Sequence, residues 1–197
     1  MMDWTGFRVV TAATLEPVTV AELKTYARID GTDYDSMLSG YISACRAALE
    51  KHTGRTFLTT SCELSLDSFP DDNGAIYLPY PPVQSVTSIY YNQESDGANT
   101  LLASSLYQAD LYSVYPRIVP AYDEDWPDTR DMLNAVRVTY VTGYGDDDSD
   151  VPAAIRECIK SLATDLFEHP ETNVELRLEE NRTYQFLLNA YSIPGCV

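Results

Sequence analysis

Lys24, Lys51 and Lys160 are the only lysines, and His52 and His169 the only histidines, in a chain of 197 residues. Thirteen Lys and Arg stand against thirty Asp and Glu, a formal charge of −17. Gripping duplex DNA takes clustered cations that neutralise phosphates, so ordinary double-stranded DNA binding through a basic patch is not expected. No apolar run approaches the roughly 20 residues that cross a bilayer. The first eight residues lack the basic start and apolar stretch of a secretory signal. The expectation is a soluble protein made in the cytosol, with no membrane partner. An apolar content of 45% excludes a disordered acidic tail.

The four cysteines, Cys45, Cys62, Cys158 and Cys196, have none of the paired spacings that zinc or redox sites use. Cys45 and Cys158 fall on apolar helical stripes, where a free cysteine acts as a small buried hydrophobe. Also missing are the Gly-x-Ser-x-Gly elbow, the His-Glu-x-x-His pair, the phosphate-binding loop and the dinucleotide fingerprint. Thr142-Gly143-Tyr144-Gly145 closes a strand and lacks the lysine of a phosphate cradle. Both histidines fall at helix C-termini, where charge complements the helix dipole. Asp146, Asp147, Asp148 and Asp150 lack the sixth-position Gly and closing Glu of a helix–loop–helix calcium site. They read as a solvated loop that favours the next helix N-terminus. Asp123, Glu124, Asp125, Asp128 and Asp131 surround Trp126-Pro127 in another solvated loop. No catalytic residue, metal ligand or cofactor is expected.

Three helices are legible. Thr19-Val20-Ala21-Glu22 is a capping box opening the first, which ends near Ile29. The second begins after Thr32 or Asp33, carries Met37, Leu38, Tyr41, Ile42, Cys45, Ala48 and Leu49 at helical spacing, and stops at Gly54. Pro152 suits the first turn of the third, whose stripe is Ile155, Cys158, Ile159, Leu162, Ala163, Leu166 and Phe167. Leu38, Ile42, Leu49, Ile155, Ile159, Leu162 and Leu166 should be buried together. A further helix is expected over 181–190, then a tail broken by Pro194-Gly195.

Between the second and third helices the period changes to two. Leu58, Thr60, Cys62, Leu64 and Leu66 alternate with polar neighbours, as in a half-buried strand. Residues 75–78, 83–91, 106–112 and 135–144 are further strand candidates, separated by turns rich in Pro, Asp, Asn and Gly. The expected class is α+β: a small helical bundle with a β-sheet subdomain inserted between its second and third helices. Residues 1–56 would be an N-terminal arm and two helices, 57–145 the β subdomain, 146–170 the third helix, and 171–197 a C-terminal helix and tail.

Tyrosine is plentiful, 15 against five phenylalanines. It suits surfaces that are apolar in one place and wet in another, as at protein contacts. Tyr77, Tyr90, Tyr91, Tyr107 and Tyr112 in the β region are candidates for contacts between subunits. Near the C-terminus, Tyr184, Phe186, Leu187, Leu188, Tyr191 and Ile193 offer more apolar surface than one small helix hides, which marks a partner surface. The competing expectation is that this segment folds back onto the third helix.

Several segments recur in order: Glu16-Pro17-Val18-Thr19-Val20-Ala21-Glu22-Leu23-Lys24 with Ala27-Arg28-Ile29-Asp30; Ile76-Tyr77-Leu78-Pro79; Pro82-Val83-Gln84-Ser85-Val86; Val136-Arg137-Val138-Thr139-Tyr140; Gly143-Tyr144-Gly145; and Val151-Pro152-Ala153-Ala154-Ile155. Taken together they resemble the head–tail connector (adaptor, head-completion) proteins of long-tailed bacteriophages and phage-like particles, over residues 15–168. The resemblance implies a structural virion protein at the neck. It implies a homo-oligomeric ring of commonly twelve copies that docks beneath the portal protein and extends the DNA channel. It also implies a surface below for a tail-completion, stopper or tail-terminator protein. Double-stranded DNA would pass through without sequence-specific binding, and the C-terminal residues named above would face the portal. Two other functions fit the composition: a monomeric sugar- or peptide-binding β module with helical flanks, and a hydrolase using a carboxylate pair.

Overall fold

Local chemistry sets where each helix starts and stops. In the computed structural model, which describes residues 6–169 and 188–193, helix α1 spans Val20–Ala27. The Glu22 amide donates to Thr19 Oγ1 at 3.2 Å, and the Thr19 amide donates back to Glu22 Oε2 at 2.9 Å. This is the reciprocal box expected from the sequence. The donated Thr19 amide holds the Glu22 carboxyl below its usual range, with Arg156 adding to the effect. Arg28 ends the helix in a left-handed conformation. Helix α2, Asp35–Thr53, ends where Gly54 takes a φ of 66° and donates to the Glu50 carbonyl. Helix α3 is Ala153–Glu168, entered through Pro152.

The chain divides into two compact units. One comprises residues 6–12 and 59–143; the other comprises residues 13–58 and the described residues from 144 onward. The second unit holds the three helices around a single core. Leu38, Ile42, Cys45, Leu49, Ile155, Cys158, Ile159, Leu162 and Leu166 are all buried there with Leu23, Phe57 and Leu58. The seven residues expected to share a core do so. Arg46 clamps the segment leading into α1, pairing with Glu16 at 2.6 Å and with Glu50 at 2.8 Å. Arg156 donates to the Pro17 carbonyl at 2.9 Å and to Glu22 at 2.6 Å.

The first unit contains eight antiparallel strands in two sheets: β1 Gly6–Thr11, β2 Thr60–Leu66, β3 Ile76–Tyr77, β4 Val83–Asn92, β5 Asn99–Leu101, β6 Tyr107–Asp110, β7 Arg117–Pro120 and β8 Val136–Thr142. The five-stranded sheet has the order β1-β2-β8-β4-β5 and the three-stranded sheet β3-β7-β6. β2 and β8 pair along their whole length, from Thr60↔Thr142 to Leu66↔Val136. Their inward residues Cys62, Leu64, Val136, Val138 and Tyr140 share one core with Ile76 and Ile118 of the smaller sheet. There the Trp126 ring stacks on Phe69 at 4.7 Å and its Nε1 donates to the Gly74 carbonyl. The buried Tyr140 hydroxyl donates to the Pro79 carbonyl at 2.9 Å.

Three points differ from the sequence expectation. The N-terminal segment is not an arm of the bundle: residues 6–11 form an edge strand against β2, with Arg8 opposite Glu63. The β region holds two sheets, and β5 and β7 are strands the sequence pattern did not separate from loops. The strand expected over 106–112 stops at Asp110, which leaves Tyr112 outside it. Of the helix expected over 181–190, all but the last three residues lie outside the described part.

Two outcomes test this packing. Leu162→Ala should cost about 2–5 kcal/mol in denaturant unfolding, because α3 cannot collapse into the space left; a parent-like midpoint would refute the helical core. The second concerns Glu50. Burial pushes its carboxyl up, against the Phe57 amide and the Arg46 guanidinium that draw it down. The folded chain therefore holds that proton more tightly than the unfolded chain. Its contribution is full below the ordinary value of 4.5 and is lost as pH rises through the raised folded value. Measured beside Glu50→Gln, the wild type should lose melting temperature relative to the variant as pH is raised from below 4.5 towards neutrality. A difference that stays flat or grows would contradict the assignment.

Candidate assembly surfaces

In the acidic loop after β8, a carboxylate closes on the loop's own backbone. The Asp147 amide donates to Asp150 Oδ2 at 3.0 Å, closing a reciprocal box around the single turn Asp148–Asp150. A Cβ on Gly145 would lie 2.1 Å from that same carboxylate oxygen, so any larger residue there would have to displace the Asp150 side chain. Asp148 lies 3.9 Å from Arg156, and Asp125 accepts from the Asn73 side chain. No group of three or more His, Cys, Asp or Glu among the described residues is placed to hold a metal ion. Cys45, Cys62 and Cys158 are buried thiols outside any disulfide. Burial pushes Cys45 up to about 12 and Cys158 up to about 11, so neither is poised as a nucleophile. Cys196 lies outside the described residues. No helix among the described residues is long and apolar enough to cross a membrane.

What the β unit does present is aromatic and polar surface. Of the five tyrosines expected at subunit contacts, Tyr77, Tyr90 and Tyr112 are exposed, Tyr112 entirely so. Tyr91 and Tyr107 are half-buried and pack against their own unit's core, with the Tyr91 ring 5.8 Å from Phe69. Burial pushes the Tyr107 hydroxyl above its usual range. Tyr122, one of the β-region tyrosines but not among the five contact candidates, and Leu133, which the sequence did not single out, are both strongly exposed in loops that carry no periodic signal. Sequence reasoning also missed the two open edges of the larger sheet. β1 exposes the adjacent Val9 and Val10, and β5 exposes Leu101. Such edges are ready to pair with another chain.

At the C-terminal end, Tyr184, Phe186 and Leu187 lie outside the described residues. Leu188 and Ile193 correct the expectation that they offer apolar surface to a partner: they are 1% and 2% exposed. Leu188 belongs to the helical core. The Ile193 amide donates to the Thr53 carbonyl at 3.1 Å, and Arg55 Nε donates to the Tyr191 carbonyl. The Thr53 carbonyl at the end of α2 and the Arg55 side chain just beyond it hold the returning chain. Tyr191 itself is half-buried against that core.

The exposed and buried tyrosines should separate cleanly in stability measurements. Replacing Tyr77, Tyr90 and Tyr112 together by serine should leave the unfolding midpoint close to the parent's. Tyr140→Phe, which strips a buried donor from the Pro79 carbonyl, should cost about 1–2 kcal/mol. A large loss from the surface set would mean those rings are part of the fold.

The whole architecture has counterparts among solved structures. A chain described as "Neck of empty GTA particle computed with C6 symmetry" is 20% identical with a TM-score of 0.77, and the match covers 95% of both chains. Another, from "Virion of native gene transfer agent (GTA) particle", is 20% identical with a TM-score of 0.76, covering 97% of this chain and 99% of that one. A third, from "Neck of native GTA particle computed with C12 symmetry", is 21% identical with a TM-score of 0.74 and 95% coverage of both. These establish a shared fold. No curated protein matches. The family model described as phage gp6-like head-tail connector protein matches residues 17–116, just over half the chain. On that match, the chain belongs to the phage gp6-like head-tail connector family.

Proposed function

We propose that this connector works as a ring subunit, of about twelve copies, beneath the portal of a phage-like particle, where it extends the DNA channel and offers the tail its docking surface. The observation that carries the proposal is the connector-family match, which runs from the segment before α1 through most of the β unit. The solved chains that share the fold come from particle necks computed with C6 and C12 symmetry, which suits a ring. A closed ring needs two different surfaces on each copy that meet head to tail. The β unit supplies distinct ones: an apolar edge at β1, a short edge at β5 and exposed tyrosines.

Charge suits the role as well. Twelve copies at −17 carry roughly −200 charges, and within a Debye length of ~8 Å acids repel phosphate, so DNA passes without sticking. Such a protein needs no catalytic group, metal or cofactor. Tyr184, Phe186 and Leu187, with the half-buried Tyr191, are the proposed portal contacts; Leu188 and Ile193 act as the anchor that fixes where this segment leaves the core.

Mixing the purified chain with portal-bearing, DNA-filled heads and imaging the necks tests the ring. Added rings at the portal vertex are expected; a chain that stays single and unattached would instead favour a monomeric binding module. Docking is tested by Tyr184→Ser with Phe186→Ser, which leaves the Ile193 anchor intact. The variant should melt like the parent yet fail to join the heads. Normal attachment would remove the C-terminal segment from the portal interface.

A further inference from the structure

The outer face of the five-stranded sheet carries a groove of about 640 Å³ that the connector assignment leaves unexplained. Two of the chain's few cations border it. Arg8 on β1 is held by Glu63 on β2 at 2.8 Å. Arg137 on β8, two strands from the β1 edge, gives its Nη2 to the Asn99 side chain and leaves its Nε buried with no acceptor. A buried guanidinium N–H without a partner is rare in a finished structure. Nε and Nη2 form the fork that takes a carboxylate bidentately, and an incoming carboxylate opens it by displacing the exposed Asn99 side chain. The other side of the groove is apolar: Met132 and Leu133 line it, with Leu133 77% exposed. An occupant that suits the groove therefore pairs a carboxylate with a flat apolar group.

The chain itself displays that pair. The loop after β7 carries Tyr122, 87% exposed, next to the exposed Asp123 and Glu124. Asp123 sits at a φ of 60° in the turn. Neither acid pairs with a cation, whereas Asp110, Glu22, Glu63 and Glu157 are each engaged by one. We infer that the Arg137 groove of one copy receives the Tyr122–Glu124 loop of the next, with Glu124 on the Arg137 guanidinium and the Tyr122 ring against Leu133. Donor loop and acceptor groove are different patches, so the contact is heterologous and propagates from copy to copy. Duplex DNA is the poorer occupant, since a long polyanion meets the −17 of the whole chain as well as two arginines. This inference rests on the ring reading above and names the contact that would close the ring.

The test is a charge swap in the full-length chain, with neck assembly on portal-bearing heads and sedimentation velocity as readouts. Arg137→Glu and Glu124→Arg should each weaken association by about tenfold or more, and the double variant should recover most of that loss. Glu124 stands on an exposed loop, so its variant reports on assembly even if Arg137→Glu perturbs the sheet. If the wild type forms rings and both single variants do so equally well, the groove contact is overturned while the ring stands. If the wild type never assembles, both fall. If Arg137→Glu fails, Glu124→Arg assembles and the double stays defective, the groove has another occupant, such as the portal or DNA, and the inference is overturned. Mixing Leu133→Cys with Tyr122→Cys chains, each carrying Cys196→Ser, should give covalent dimers on oxidation of the rings. Rings that yield none would count equally against it.

Discussion

Pairing of β2 with β8 is the constraint on which the rest of this molecule depends. The chain leaves the helical unit after Leu58 and re-enters it at Tyr144. Closing a loop of that length costs on the order of 4 kcal/mol of chain entropy, before any contact within it is counted. The cost is met at the neck of the insertion, where Thr60 faces Thr142 in the first of seven consecutive pairs. The Tyr144 amide donates to the Phe57 carbonyl at 3.0 Å, and Leu58 bridges to Gly145. Thr142 Oγ1 adds bonds to the Tyr80 and Pro82 carbonyls. With outgoing and returning strands adjacent, α2 and α3 can belong to one core although 99 positions separate Thr53 from Pro152.

A scarcity of cations shapes the electrostatics. Arg46 and Arg156 are spent holding the segment before α1, Lys24 on Asp35, Arg8 on Glu63, Arg117 on Asp110 and Lys160 on Glu157. Most of these pairs are partly exposed and each adds little to stability alone. Their collective effect is on what remains. With these bases engaged on local acids, the chain as a whole keeps a surplus of seventeen negative charges, which suits the DNA channel proposed above.

How much of this was legible in the sequence follows from how each element earns its burial. The helices were readable because each buries one stripe at helical spacing and has a boundary signal in the sequence: the Thr19–Glu22 box for α1, Gly54 for the end of α2 and Pro152 for the start of α3. β2 and β8 alternate cleanly because one face is core and the other solvent. β1 is an edge strand whose last four residues are all exposed, so no period of two could betray it. β5 has three residues, and β7 ends on a proline and borrows its order from β3 and β6. The candidate surfaces were half legible. An excess of tyrosine pointed at the β region, but which rings turn outward depends on pleat and loop geometry. Likewise the apolar residues near the C-terminus signalled a need for burial without saying whose core would satisfy it, and Leu188 and Ile193 find it at home.

Separating the two units also separates two demands on the sequence. A chain that assembles as proposed must survive singly beforehand, so its stability has to reside in surfaces that assembly does not use. Here the helical core is closed around buried aliphatics, and the β core around the Phe69–Trp126 stack and Tyr140. Neither core borrows the exposed rings of Tyr77, Tyr90, Tyr112 or Tyr122. Exposed rings of this kind keep rotamer freedom, and tyrosine loses little on being fixed in a contact because only two torsions are lost. An assembly surface built mainly of tyrosine and acid on β strands and loops can therefore change without unfolding the subunit. The aliphatic positions of α2 and α3 have no such latitude.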